Sequence, residues 1–389
     1  MISVEEALRH CLALATPLAA EPVPLAQAYG RWMCAPAVAT RDQPPFAASA
    51  MDGYAVQGDP GPDDNFLVIG EAGAGHAFAG QVGPGQAVRI FTGAPLPPGA
   101  TRVIIQEDVV RLGDRILLKD GLDAGPHVRP LGQDFRAGDS LSPRRLRPND
   151  LALLAAMNIP TVQAARKPVV ALIATGDELV MPGETPRPDQ IIASNSFALK
   201  AMIEAAGGIA RLLPIARDTE AELATVLALA NGADLIVTIG GASVGDHDLV
   251  GRVAGFQAAF WKIAMRPGKP LMAGRLNGVP MLGLPGNPVS AIVCAHLFLV
   301  PMVRAMQGDP APEPQPQTAR LTVALPENGS RTHYMRARLL PGDGLPGIAP
   351  FDRQDSALLS ILGQADALLI RPVDARPCHA GDTVSYLPL

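Results

Sequence analysis

The sequence predicts a multidomain α/β plus β protein. A doubly wound α/β domain carries small β domains on either side and an elongated N-terminal helical and linker region. Three observations carry this. At 389 residues the chain is too long for one ordinary core, so two to four domains are expected. Between about 46 and 140, short apolar runs alternate with Gly and Pro turns, the spacing of a small all-β domain. From Lys167 onward, longer apolar runs end in polar loops and alternate with helical patterns, as buried parallel strands do.

Taken in order, "MISVEEALRHCLALATPLAAEPVPL" reads as an amphipathic helix with Ser3 as its N-cap and Glu5 and Glu6 in its first turn; it has no basic leader. Residues 1–45 and 141–166 form the helical and linker region. Within 46–140, "NFLVIG", "QAVRIFTG", "TRVIIQED" and "DRILLKD" are strands. "RPNDLALLAAMNI" is a helix capped by Asn149 or Asp150 and ending near Pro160. In 167–308, "KPVVALIATGDEL" and "ADLIVTIGG" are buried strands, while "SNSFALKAMIEAAGG" and "EAELATVLALANG" are helices. "VPMLGLPGNPVSAIVCAHLFLV" supplies a strand, a tight turn and a helix with Asn287 as N-cap and Pro288 at N1. The Pro-rich "GDPAPEPQPQTA" is a linker. Beyond it, within 309–389, "RLTVAL", "YMRARLL", "ALLIRP" and "DTVSYLPL" suggest a terminal β domain.

Composition narrows the function. A net charge of −5 argues against a general nucleic-acid binder, and an aromatic share of 4% is too low for a base-stacking platform. Cys11, Cys34, Cys294 and Cys378 lie far apart without a C-x-x-C pair, so neither a disulfide framework nor a zinc cluster is indicated. The longest apolar run, "PVSAIVCAHLFLVPMV", contains His296 and is short for a membrane span. A cytoplasmic protein without membrane partners is expected.

Ligands of a doubly wound domain sit at the carboxyl ends of its strands. Three polar loops fall there: "ATGDEL" with Thr175, Asp177 and Glu178; "GGASVGDHD" with Ser243, Asp246, His247 and Asp248; and "LPGNP", which opens a helix. Backbone N–H groups at a helix start bind anions, whereas carboxylates repel them unless a divalent cation intervenes. Glycines and acids together therefore suggest a Mg²⁺-dependent phosphate ligand. Each loop also has a plainer reading, as a helix cap, a solvated loop or a turn. "WKIAMRPGKP" places Lys262, Arg266 and Lys269 within eight residues, which suits a tetrahedral oxyanion or a solvated surface turn. Neither a G-x-x-x-x-G-K-[ST] loop nor a G-x-S-x-G elbow is present. "FAASAMDGYAV" sets one carboxylate, Asp52, among small residues directly before a strand, and by local chemistry it reads as a turn.

In sequence order, "FAASAMDGYAV", "RIFTGAPLPPGATRVIIQED", "GQDFRAGD", "ALIATGDEL", "SNSFAL", "GGASVGDHD", "RPGKP" and "GLPGNPVSA" resemble the molybdopterin molybdenumtransferase family, which comprises bacterial MoeA proteins and relatives such as the E domain of gephyrin. The resemblance runs from residue 1 to about 300 and is weaker in the last 80 residues. It implies molybdenum cofactor biosynthesis: molybdate is inserted into adenylyl-molybdopterin with Mg²⁺-dependent release of AMP. It also implies a homodimer whose cleft lies between the α/β domain of one subunit and the β domain of the other. Protein partners would be the adenylyltransferase of the preceding step and molybdoenzyme chaperones.

By the same resemblance, Asp52, Thr92 and Asp134 are cleft residues of the β domain, so the Asp52 turn becomes a site loop. Glu178, Asp218 and Asp248 are their counterparts in the α/β domain, with Asp218 and Asp248 as Mg²⁺ ligands. Ser194, Asn195 and Ser243 would touch substrate. Lys262, Arg266, Lys269 and Pro270 resemble an oxyanion pocket completed by Arg336 and Ser356. Arg266 stands where many members have Lys, and Ala47 and Ala48 replace a more polar pair. A non-catalytic molybdopterin carrier or a gephyrin-type scaffold is the alternative. The joint presence of Asp52, Glu178 and Asp248 opposes the carrier, and the scaffold would need partner-binding segments that this sequence does not display.

Overall fold

Ser3 caps the first helix. Its side chain accepts from the Glu6 N–H at 3.1 Å, and α1 (Val4–Leu14) follows, burying Val4, Ala7 and Cys11. The computed structural model describes residues 1–241 and 253–389. The chain divides into two compact units. One comprises Met1–Glu21, Gly30–Cys34 and Ala164–Leu389, the other Pro22–Tyr29 and Ala35–Gln163.

The smaller unit is built on a six-stranded sheet of β1 (Gly53–Val56), β2 (Asn65–Ala72), β3 (Gln86–Ile90), β4 (Arg102–Ile105), β5 (Val109–Leu112) and β6 (Arg115–Leu118), in the order β4-β1-β3-β2-β6-β5. Period-two alternation sends side chains to opposite faces. Tyr54 and Val56 pack with Phe66, Ile104 and Ile116, while Ala55 packs with Val88, Ile90 and Val103. Beyond the sheet, α2 (Pro148–Ala156) begins two or three residues before the cap at Asn149 or Asp150 that the sequence suggests: the N-cap is Arg147, and Asp150 at N3 accepts the Arg147 N–H at 2.9 Å. Pro148 sets this boundary, because a residue without an N–H and with φ fixed near the helical value fits N1.

In the larger unit, continuous apolar runs give β7 (Val169–Ala174), β8 (Ile209–Leu212) and β9 (Leu235–Ile239), followed by β10 (Phe256–Trp261), the short β11 (Met265–Arg266), β12 (Met272–Leu276) and β13 (Val279–Leu284). Without β11 these form a sheet in the order β8-β7-β9-β13-β12-β10. The first four strands are parallel and the last two form an antiparallel edge. Helices cover both faces. α3 (Asn195–Ala205) and α1 pack with Val170 and Leu172, while α4 (Glu220–Ala228) packs with Ala171 and Ile173. On the α3 face lies a continuous helix, α5 (Pro288–Cys294) and α6 (Val300–Met306) joined by a π-helical turn at Ala295–Leu299. At 19 residues it is long and apolar enough by composition to cross a membrane, but most of it is buried inside this unit, as a core helix is.

After the Pro-rich segment, β14 (Gln317–Leu321), β15 (Thr332–Leu340), β16 (Gly347–Pro350), β17 (Ala367–Arg371) and β18 (Thr383–Pro388) run in the order β15-β16-β14-β18-β17, and a β15–β17 pairing closes the ring. β11 joins the outside of β15 in parallel, Arg266 opposite His333. Ala319, Leu321, Ala337, Ile348, Leu369 and Tyr386 fill this barrel.

Candidate active site

The parallel strands β7, β9 and β13 are neighbours, so the loops at their carboxyl ends converge. There they enclose a cavity of about 710 Å³. Thr175, Gly176 and Glu178 enter from the end of β7, Gly240 and Gly241 from β9, and Pro285 and Gly286 from β13. Ser194 and Asn195 at the start of α3, together with Asn287 and Pro288 at the start of α5, bring two helix N-termini to the same wall. The N-cap side chains Ser194 and Asn287 make no capping bond, although Phe197 N donates to Ser194 O at 3.3 Å in the first turn of α3. Asn195 Nδ2 donates instead to Gly286 O at 2.8 Å, tying α3 to the "LPGNP" turn.

Carboxylates stand at this same cavity. Glu178 and Asp218 both line it and are exposed. Their loops are locked together: the Asp218 N–H donates to Asp177 Oδ1 at 3.1 Å, and Gly176 N donates to Ala216 O at 3.1 Å. Arg217 Nη1 reaches the carbonyls of Asp177 and Leu179, each at 3.1 Å, on both sides of Glu178. Asp177 is thus a loop clasp, not a helix cap. Reading the sequence missed Arg217. Its one signal is adjacency to Asp218, and nothing local tells that the 176–179 loop lies beside it.

The cationic segment lies next to the cavity but its members diverge. Pro270 lines the cavity, and Ile263 N to Lys269 O (3.1 Å) and Lys262 N to Leu271 O (3.0 Å) fold Lys262 and Lys269 back against each other. Arg266 points elsewhere: it sits on β11 and donates to Asn328 Oδ1 at 3.1 Å. Arg336, expected to offer donors to an oxyanion, is turned inward at 1% exposure. Its Nε donates to Gln354 Oε1 at 3.2 Å and its Nη1 to Asp355 O at 2.7 Å. The physical reason is burial, since a guanidinium covered by the Arg353–Asp355 backbone on the outer face of β15 must satisfy its donors locally. What Arg336 holds is the backbone leading to Ser356, whose carbonyl accepts from Val289 N at 3.0 Å in the first turn of α5, and to Ala357 on the cavity wall. Ser243, Asp246, His247 and Asp248 lie outside the described residues.

In the smaller unit, the loop at Ala47–Asp52 runs antiparallel to 92–96, with Ser49 N to Ala94 O at 3.0 Å and Leu96 N to Ala47 O at 2.8 Å. That pairing delivers Asp52 to Thr92. Asp52 Oδ1 accepts from the Thr92 N–H at 2.8 Å and from Thr92 Oγ1 at 2.7 Å. The backbone bond first, and then the hydroxyl, hold the exposed carboxyl below the usual carboxylate range, with a smaller contribution from Arg89. Glycine is required next to it, because a Cβ on Gly53 would lie 2.0 Å from Ile104 O across β1 and β4. Asp134 is exposed on a separate loop of this unit, its N–H bonded to Gln43 O at 2.9 Å.

Along the chain, the MoeA N-terminal region (domain I and II) matches residues 2–158, a probable molybdopterin binding domain matches 171–305, and the MoeA C-terminal region (domain IV) matches 318–389. A molybdopterin molybdenumtransferase of Nostoc sp. is 34% identical over 387 residues, covering 95% of this chain and 88% of the relative. That of Bacillus subtilis is 31% identical over 402 residues, covering 99% and 94%. Among solved structures, a molybdopterin biosynthesis MoeA protein of Pyrococcus horikoshii is 30% identical with a TM-score of 0.83, covering 100% of this chain and 99% of that one.

Proposed function

Because the chain belongs to the molybdopterin molybdenumtransferase family, we propose that it inserts molybdate into adenylyl-molybdopterin and releases AMP. It is a transferase of molybdenum cofactor biosynthesis. The observation that carries the finer reading is the meeting of Glu178 and Asp218 with two helix N-termini at one cavity. N–H groups at the start of α3 orient the phosphates of the substrate, and the carboxylates make that site selective for a phosphate that arrives with a cation.

The donor set fits Mg²⁺. Magnesium takes one or two carboxylates and completes its shell with phosphate and water, so it needs no all-protein cage. Among the described residues no group of three His, Cys, Asp or Glu side chains could hold a metal, but two hard carboxylates share the cavity. Asp218 would hold the ion with Asp248, and when bound it supplies neutralisation of phosphate charge. Lys262 and Lys269 face the molybdate dianion, and Ser356 is kept in place by Arg336. Asp52, Thr92 and Asp134 complete the cleft from a second copy of the chain, so the working form is a homodimer in the cytoplasm.

The test is AMP release from adenylyl-molybdopterin by the purified protein, with and without molybdate and Mg²⁺. Release that depends on both is expected, and none under any combination would overturn the reading. Sedimentation at micromolar concentration should give twice the chain mass. A fully active monomer would refute the dimer.

A further inference from the structure

We propose that Arg89 is a positioning residue for Asp52, its guanidinium bracing the backbone on both sides of the carboxylate. This rests on the reading of Asp52 as a carboxylate that faces substrate. Arg89 stands opposite Tyr54 in the β1–β3 register, one residue along from the Gly53–Ile90 pair. Its Nη1 donates to Gly53 O at 3.1 Å and its Nη2 to Gln106 Oε1 at 2.7 Å. The Gln106 N–H in turn donates to Asp52 O at 3.0 Å. Arg89 and Gln106 therefore close a ring of hydrogen bonds around the peptide that joins Asp52 to Gly53.

The other side of the carboxylate is braced by stacking. The Arg89 guanidinium lies 4.7 Å from the Phe91 ring and 5.1 Å from the Tyr54 ring. Phe91 is the residue before Thr92, whose N–H and hydroxyl hold Asp52 Oδ1. One planar group thus touches the neighbours of both partners in the Asp52–Thr92 contact. Among the described residues Arg89 forms no ion pair, so its charge is not cancelled by another carboxylate at contact distance. The other charged groups here are Glu107, which accepts from Gln106 Nε2 at 3.1 Å, and Arg111, 5.9 Å from the Tyr54 ring. Lysine could not replace Arg89 fully, because an ammonium on a flexible stem lacks the fork that reaches two acceptors while staying within reach of two rings.

The experiment compares Arg89→Met, Arg89→Lys, Gln106→Ala, Asp52→Asn and the double variant Asp52→Asn/Arg89→Met in AMP release, reading kcat and KM for adenylyl-molybdopterin separately. Arg89→Met should lower kcat about tenfold, the loss expected for a charge-assisted bond, with KM within about twofold. Arg89→Lys should restore part of that loss. The double variant should be no slower than Asp52→Asn alone, since a residue that acts through Asp52 has nothing left to position. If the double variant falls by the product of the single losses, or Arg89→Met keeps its kcat, the inference is overturned. Should Arg89→Met fail to fold, Arg89→Lys and Gln106→Ala carry the same comparison. If Asp52→Asn itself keeps the full rate, the reading of Asp52 fails and Arg89 loses its role, while molybdate-dependent AMP release would still stand.

Discussion

Asp218 illustrates how one residue divides its work: its backbone N–H secures the Asp177 clasp, while its own carboxylate remains exposed at the cavity. Replacing the charge should leave the clasp intact, because the clasp uses the main chain. Asp218→Asn is therefore expected to lower Mg²⁺-dependent turnover by about tenfold or more, with little change in melting temperature. A Mg²⁺ titration of AMP release checks this, and a wild-type rate at saturating Mg²⁺ would count against Asp218 as a ligand. The residue scale also marks where sequence reading reaches its limit. The "TGDEL" loop is visible as a polar break after an apolar run, whereas Asp218 is reached only through the family resemblance. Their contact is not visible, since it depends on β7 and β8 lying side by side.

Among the elements, the segment from Lys262 to Pro270 is closely packed at Gly268. Gly268 has φ +105°, and a Cβ there would sit 2.4 Å from Cys294 Sγ and 3.2 Å from Met265 Cε. Cys294 is fully buried on α5, and burial pushes its thiol well above the ordinary range, so it serves here as an inert floor under the loop. Gly268→Ala must therefore strain the backbone or lift the loop, at a cost of about 1–3 kcal/mol. Urea denaturation should register that loss, and the molybdate concentration needed for half-maximal insertion should rise as Lys269 shifts. Unchanged stability and molybdate dependence would show that the loop has slack. Pro267-Gly268 was legible as a turn, but the Cys294 floor was not, because helix and loop are brought together only by packing.

At the scale of the whole molecule, β11 carries Arg266 from the α/β region onto the terminal barrel, where Arg266, His333 and Arg371 stand in one row across β11, β15 and β17. His333 is 7% exposed. Burial first, and then Arg266, Arg336, Arg331 and Arg371, push its pKa down to about 3. The unfolded chain takes up that proton near pH 6.5 and the folded chain does not. Stability from the neutral imidazole is thus complete above about pH 6.5 and falls toward pH 3, by up to about 1.4 kcal/mol per pH unit. Denaturation between pH 7.5 and 5 should show this slope in the wild type and a flatter one in His333→Gln. Equal slopes would mean that His333 takes up a proton in the folded state.

What the sequence determined by itself is local or periodic. Ser3 caps α1 because its hydroxyl needs only the N–H three residues on. The "VVALIA" and "LIVTI" runs are buried parallel strands because no charged residue interrupts them and Thr238 is their one polar side chain, and the acids after them fall at strand ends by chain order alone. The two-faced α/β layer follows from those runs and from the helices between them. Tertiary structure decided everything that depends on pairing at a distance. β8, β10 and β12 have too little apolar run or alternation to stand out, and they are strands because the sheet edge pairs them. β11 is two residues long and exists only through β15. Arg336 looks like a surface cation in "HYMRARL", but the segment Arg353–Asp355 folds over it on the outer face of β15 and takes its donors onto the backbone before Ser356. Burial and partners are properties of the folded surface, and a linear pattern of residue types does not contain them.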